Sequence, residues 1–446
     1  MKDHSFGRRN WLILLLFGLV GQIAWSVENM YFNLFVFETV APSLTTVTLM
    51  VQLSGIAATL TTLVAGTLSD KLGNRRSFIS GGYAIWGITV AMFGFLSPAV
   101  TDKLLGCGLD KAIMITLAAV VAGDCVMTLF GSTANDACFN AWVTDNTESS
   151  FRGKVEGVLS ILPLAAMLIV AGGFGIIVEM IGYSMMFLCL GIVISVCGVC
   201  GIFVLRDSPA LEKSGKFRDI LYGFKPCVIK AHSHLYLTLC LVLIYGIACQ
   251  IFMPYLIIYM KTYLGFSVVE YSVVFGAAII LGAAVNLYLT RLSDRKNKNT
   301  MLYFASAIFA AGLFGMYFAK DMDKTMTLIF FGIAGFVMIT GYILISALCG
   351  SLVRDYTPEG VVGKLQGVRM VFSVLIPMIA GPMIGNAINA RMNIPLPDPE
   401  SADVMTTQYI PAPEIFLAGA IFSLLMFVLI PVLVKVSKRN RWADIP

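Results

Sequence analysis

Three acidic residues stand where acids are expensive. Asp124 and Asp136 lie within the apolar run VVAGDCVMTLFGSTANDACFNAWVTD (residues 120–145), and Glu28 lies within a second apolar run near the start of the chain. An ionised carboxylate near the centre of a bilayer costs about 2.5–3.5 kcal/mol on insertion scales, so a membrane helix that carries one either neutralises it or uses it. The chemistry open to such a group is uptake and release of a proton, or retention of a small cation. On a helical wheel Asp124, Thr128, Ser132, Asn135 and Asp136 share one stripe, which Asn140 extends. At 1.5 Å per residue the two aspartates stand roughly 18 Å apart along the axis, too far to share one small site. Glu28, Asp124 and Asp136 are therefore the expected cation-coupling residues. Glu28 and Asp124 are assigned to the outer half of their helices and Asp136 to the inner half, as a relay or as a structural acid.

A second polar stripe runs along the first apolar segment: Gln22, Ser26, Asn29 and Asn33, with Trp25 on the same side and Glu28 adjacent. An aromatic ring beside hydrogen-bonding groups suits a sugar ring that stacks while its hydroxyls find partners. Gln22, Trp25, Asn29, Asn33, Ser132 and Asn135 are the expected solute contacts. The alternative for each is interhelical packing, which also suits Asn, Ser and Thr. Glu28 either pairs with Arg369 or is protonated in the membrane. Gln52, Tyr245, Gln250, Asn286 and Tyr342 are weaker candidates of the same kind.

The segments that must position these residues are membrane spans. Hydrophobic residues make up 58% of the 446 and charged residues 13%, with mean hydropathy +0.84, which defines an all-α polytopic membrane protein. Twelve spans are read, at about 11–35, 44–69, 77–98, 112–143, 155–178, 183–205, 235–260, 267–291, 300–319, 325–352, 364–389 and 413–436. They form an N-terminal six-helix bundle (1–205), a polar linker (206–234) and a C-terminal six-helix bundle (235–446). The first run lacks a small-residue cleavage site and is expected to stay attached. With the N-terminus inside, 24 of the 31 Lys and Arg residues fall in cytoplasmic segments and six in external loops. This places both termini in the cytoplasm and the protein in the plasma or inner membrane. The net charge of +5 is thus topogenic and implies no nucleic-acid partner. The ten cysteines, mostly inside spans, form no disulfide or metal framework, and no GxxxxGK[ST] loop or catalytic triad occurs. An enzyme, a resident cofactor and a bound metal are not expected.

The halves repeat one another. VTDNTESSFRGKVEG (143–157) and VRDYTPEGVVGKLQG (353–367) match at an offset of 210, pairing Asp145 with Asp355, Thr147 with Thr357 and Lys154 with Lys364. GTLSDKLGNRR (66–76) has an echo in TRLSDRKNKN (290–299), where Asp70 corresponds to Asp294. Paired six-helix halves are an architecture of alternating access, in which one half rocks against the other around a midplane site.

GTLSDKLGNRR resembles the loop signature of the major facilitator superfamily, Gly-x-Leu-x-Asp-Arg/Lys-x-Gly followed by basic residues, here Gly66, Leu68, Asp70, Lys71, Gly73, Arg75 and Arg76, with Asn74 where a basic residue is common. With the twelve spans and the second loop repeat, the resemblance covers about the whole chain. SDKLGNRRSFI and NDACFNAWVTDNTESSFRGKVEG are most similar to the sugar:cation symporter branch, the glycoside/pentoside/hexuronide and sucrose:proton carriers. The chain departs from that branch in having Ser132 where Asn or Asp often stands. The resemblance implies a gate in which Asp70 meets the helix beginning near Gly363, with Gly66, Gly73, Arg75, Arg76, Asp145, Asp294 and Asp355 as its other members; the alternative is that these charges only fix topology. It also implies secondary active transport, by a monomer, of a small solute such as a sugar with H⁺ or Na⁺. A proton-driven exporter of amphiphiles, and a receptor or lipid-handling protein of the same fold, are the alternatives.

Overall fold

The structure is a computed structural model that describes residues 6–147, 152–208, 217–295, 298–357, 362–396 and 409–441. The described elements are helices, apart from one isolated bridge between Pro395 and Tyr409. Apolar runs of this length leave a backbone no partner but itself, so in a membrane they close their own hydrogen bonds as helices.

Eleven helical stretches among the described residues are long and apolar enough to cross a bilayer. They are α1 (Arg8–Val40), α2 (Leu44–Leu72), α3 (Arg76–Phe95), α4 (Leu109–Asp145), the stretch Gly157–Val204, α7 (Ser233–Thr262), α8 (Val268–Leu289), α9 (Thr300–Phe318), α10 (Lys324–Tyr356), α11 (Leu365–Met392) and α12 (Glu414–Val436). Gly157–Val204 has 48 residues, about 72 Å of helix rise against a ~30 Å hydrocarbon core. It is interrupted at Gly182, whose φ of 76° lies in the left-handed region. Its limbs, α5 (157–181) and α6 (183–204), complete the twelve spans.

The chain divides into two compact units, with the break between Phe217 and Arg218. In unit 1 the helices α3 and α6 approach so closely that a Cβ on Gly87 would lie 2.3 Å from the Gly191 carbonyl oxygen. Small residues permit this contact where apolar side chains alone give little drive for association in lipid. The α1–α4 contact that positions the acids is set by Tyr83 of α3, whose hydroxyl accepts from Asn135 at 2.6 Å and donates to the Phe17 carbonyl at 2.7 Å. In unit 2, α9 and α10 pack in the same glycine-assisted way through Gly312 and Gly341. The segment 218–231, read from sequence as linker, belongs to unit 2 and includes the short helix Pro226–Ala231.

Candidate functional site

The three acids gather in unit 1. Asp124 is 1% exposed and Glu28 7% exposed. Thr128, one turn beyond Asp124, donates its hydroxyl to Glu28 Oε1 at 3.2 Å. One turn further, Ser132 donates to Asp136 Oδ2 at 3.1 Å. Asp124, Thr128, Ser132 and Asp136 therefore form a ladder of i, i+4 steps along α4, which Glu28 of α1 meets at Thr128. Glu28 Oε2 and Asp124 Oδ1 are buried with no hydrogen-bond donor, and no basic side chain pairs with any of the three acids among the described residues. Ser54 of α2 lies beside Asp124 but donates instead to the Val51 carbonyl at 3.2 Å.

Two of these acids lie where the helix changes pitch. Glu28 opens a π-helical segment, Glu28–Phe32, and Asp136 lies inside another, Ser132–Phe139. A π turn shifts the hydrogen-bond ladder by one residue and recurs at functional positions.

The expected solute contacts separate into two groups. Asn135 is bonded to Tyr83, and a Cβ on Gly21 would meet its Nδ2 at 2.2 Å, so its amide is committed to packing. Asn29 is exposed and donates to its own helix at the Trp25 carbonyl, 2.8 Å away. Asn33 is buried, donates to the Asn29 carbonyl at 3.2 Å and leaves its Oδ1 without a donor. Trp25 packs on Trp86 with ring centroids 5.0 Å apart, and its indole Nε1 lies near Asp136 without reaching hydrogen-bond geometry. Ser132 is buried against Asp136, and Gln22 is half-buried. Asn140 bonds the Asp136 main-chain carbonyl at 3.1 Å, leaving the carboxyl to Ser132. Thr128 and Ser54 were not singled out as site residues from sequence; Thr128 lies on the acidic stripe at i+4 from Asp124, whereas nothing in the pattern of α2 marks Ser54.

The signature loop builds a second cluster. Gly73 adopts φ 63° and ends α2, its N–H bonded to the Ser69 carbonyl at 2.9 Å. The turn returns Arg75 towards α2, where its guanidinium donates to Asp70 and to the Ser69 hydroxyl, and across to Asp145 Oδ2 of α4 at 3.1 Å. The Arg75 side chain is 6% exposed, Asp70 38% and Asp145 25%. Burial works against the Arg75 charge, yet Asp70 and Asp145 hold its pKa above the ordinary arginine value. Asp207 Oδ1, just beyond α6, accepts from the backbone N–H groups of Arg75 and Arg76 at 3.0 and 2.9 Å. A carboxylate there satisfies open donors at the start of α3 and suits the positive end of its dipole. The Arg76 guanidinium donates to the Ile202 carbonyl, and Trp142 Nε1 donates to the Arg206 carbonyl at 2.8 Å. The cluster thus ties the ends of α2, α3, α4 and α6. Gly66 makes only an ordinary contact, with the Ala137 methyl 3.9 Å from where its Cβ would lie.

Unit 2 has a looser version. Lys298 Nζ meets Asp355 Oδ2 at 2.6 Å and the Ser351 hydroxyl at 2.8 Å, with Lys298 37% and Asp355 49% exposed. The side chain of Asp294, expected to join this group, lies outside the described residues.

Twelve apolar spans in two repeated units, with carboxyl groups that meet no basic side chain inside one of them among the described residues, define a polytopic membrane protein. The Major Facilitator Superfamily model matches residues 11–382, and the chain belongs to that family. Its fold is similar to solved structures of the nucleoside transporter NupG, at TM-score 0.68 and 11% identity for a single-site mutant and 0.65 and 12% for a second structure, each over 95% of this chain and 98% of that one. A bacterial metal transporter is similar at TM-score 0.57 and 16% identity, over 96% of this chain and 99% of the other. At these identities the likeness concerns fold alone. No curated protein matches the sequence.

Proposed function

We propose that the protein is a secondary active transporter that moves a sugar or glycoside together with H⁺ or Na⁺ by alternating access. The observation that carries the reading is the pairing of Glu28 with Thr128 beside Asp124, with one oxygen of each acid buried and unsatisfied. Leaving a buried charge without a partner costs several kcal/mol, so a cation bound at these oxygens completes the site. Asp124 and Glu28 take up that cation, and Asp136, held by Ser132 and near Trp25, acts as a relay or a structural acid. The half-buried Gln22, Trp25 and the free carbonyl of Asn33 are the solute contacts this reading favours. Asp70, more exposed than its partner Arg75, keeps room for a second partner and serves as the gate residue. Nucleosides are themselves N-glycosides, and the NupG fold makes them the first solutes to try.

The test is uptake of labelled sugars and nucleosides into proteoliposomes under an imposed pH or sodium gradient. Gradient-dependent accumulation supports symport. Extrusion of amphiphiles in the same vesicles would replace this reading with the exporter, and no gradient-dependent movement of either kind would leave a receptor or lipid-handling protein. Both termini are assigned to the cytoplasm, which a thiol reagent checks. Cys227, exposed on the short helix Pro226–Ala231, resists an impermeant maleimide on intact cells, and Cys107 reacts.

A further inference from the structure

The opening segment of unit 2 carries exposed apolar side chains. Its inward residues are firmly seated. Val228 is buried in a cluster with Leu235, Tyr236 and Leu239 of α7, Val353 of α10, and Leu365 and Val368 of α11, and Tyr222 packs against the same cluster. The Tyr236 hydroxyl donates to the Gly223 carbonyl, and a Cβ on Gly223 would lie 2.5 Å from Val368 Cγ2. The neighbours of these seated residues turn outward: Leu221 is 63% exposed, Phe224 41% and Ile229 39%. Lys225 and Lys230, between and beside them, are exposed as well. Lys225 Nζ stands 5.7 Å from the Tyr222 ring centroid, a long contact that leaves its ammonium open to a further partner.

Position says what covers this patch. The short helix ends at Ala231 and the apolar span α7 begins at Ser233. A segment clamped to the first turns of α7 lies at the level where that helix enters the bilayer. Exposed Leu, Phe and Ile beside Lys form the pattern of an element lying in the membrane interface, with its apolar side chains in the headgroup–acyl boundary and its cations at the phosphates.

We infer that residues 221–230 form an interfacial anchor for anionic phospholipid, in which Leu221, Phe224 and Ile229 enter the boundary region and Lys225 and Lys230 bind lipid phosphate. The segment is packed on the ends of α7, α10 and α11, and the end of α10 is the one that carries Asp355, the partner of Lys298. The inference is independent of solute and coupling ion, so it stands or falls separately from them.

The test uses the full-length protein in nanodiscs, with Cys227 carrying an environment-sensitive fluorophore and the other cysteines replaced by Ser. Nitroxide lipids are supplied as phosphatidylcholine or as phosphatidylglycerol. The expected result is strong quenching by the lipid-borne nitroxide, greater for phosphatidylglycerol. Each lysine near an anionic surface contributes roughly a fivefold preference, so Lys225→Glu with Lys230→Glu removes the difference between the lipids. Leu221→Ser with Phe224→Ser lowers quenching by both lipids, while a monodisperse elution profile shows that the bundle is intact. Quenching by a water-soluble nitroxide alone, or equal quenching by the two lipids in the unaltered segment, overturns the inference.

Discussion

The two units share a helical plan and differ in what they bury. Among the described residues unit 1 buries Glu28 and Asp124, with Asp136 half-buried on the same helix as Asp124, whereas the buried polar groups of unit 2 are neutral: Thr238, Ser272, Asn286, Ser306, Thr327, Thr340, Asn389 and Ser423. At the repeat offset of 210, Asp124, Thr128, Ser132 and Asp136 correspond to Ala334, Met338, Tyr342 and Ser346. The acidic ladder has no copy. The tyrosine at the place of Ser132 joins a neutral pair instead, its carbonyl accepting from the Tyr245 hydroxyl at 3.1 Å. Loops and interiors have thus diverged to different degrees. A loop that returns the chain between spans needs the same turn, basic residues and helix caps in either half, so its repeat survives. An interior needs only to be apolar and close-packed, so one half can carry buried acids that the other lacks.

That asymmetry breaks first under neutralisation. Asp124→Asn is expected to reduce gradient-driven solute accumulation to the level of liposomes without protein, while solute exchange at equal concentrations persists, since exchange need not return an empty carrier. Thr340→Val, in the interior of unit 2, removes a hydroxyl that bonds only its own helix at the Phe336 carbonyl, 2.8 Å away, and should leave accumulation intact. Both are read by uptake of labelled solute in proteoliposomes. Full accumulation by the Asp124→Asn protein would end the coupling assignment and leave Glu28 to be tested in its place.

The interior acids were legible because a carboxylate in an apolar run is conspicuous, and i+4 spacing predicts that Asp124, Thr128, Ser132 and Asp136 share a face. What the sequence could not show is which helix meets that face. Glu28 and Thr128 are 100 residues apart, and their contact depends on the packing of α1 and α4, set partly by Asn135 and Tyr83. For the same reason Asn135 reads as a solute contact in the sequence and as a packing residue in the structure: the stripe gives direction, not the partner. The spans were legible from hydropathy, including the break at Gly182, which falls between the two spans read at 155–178 and 183–205. The π-helical segments were not, because their residues suit an α turn equally well and the shift of hydrogen-bond register is set by packing. Nor was Asp207 recognisable as the residue that meets the start of α3, since it lies 131 positions from the Arg76 N–H it accepts.

The charged ends of the units give the next largest difference. Arg75 is enclosed by Asp70, Asp145 and Ser69, whereas Lys298 is shared between Asp355 and Ser351 with over a third of its side chain in solvent. Arg75→Gln leaves two partly buried carboxylates without their cation and is expected to cost about 2–3 kcal/mol, below the full value for a buried pair because Asp70 and Asp145 retain some solvent. Lys298→Gln should cost about 0–1 kcal/mol, as for an exposed pair. Thermal unfolding in one detergent compares them directly. Equal shifts in Tm would mean that burial does not separate the two clusters.

The smallest expected effect concerns the turn that delivers Arg75. Gly73 holds φ at 63°, a left-handed conformation that Asn tolerates better than other non-glycine residues. Aligning Asp70 with Asp294 places Asn297 at the position equivalent to Gly73 and Lys298 one residue before the equivalent of Arg75. In sequence the second half therefore has the next best residue after glycine at that place, and its Lys298 meets Asp355 from the neighbouring position. Gly73→Ala should destabilise unit 1 by about 1 kcal/mol, from the Cβ strain of that conformation, and Gly73→Asn by less. Since the Arg75 contacts depend on this turn, Gly73→Ala combined with Arg75→Gln should cost less than the two separate losses added together, and unfolding of the double variant measures that shortfall. Strict additivity would show that Arg75 reaches Asp70 and Asp145 whatever ends α2, and that the glycine serves the helix end alone.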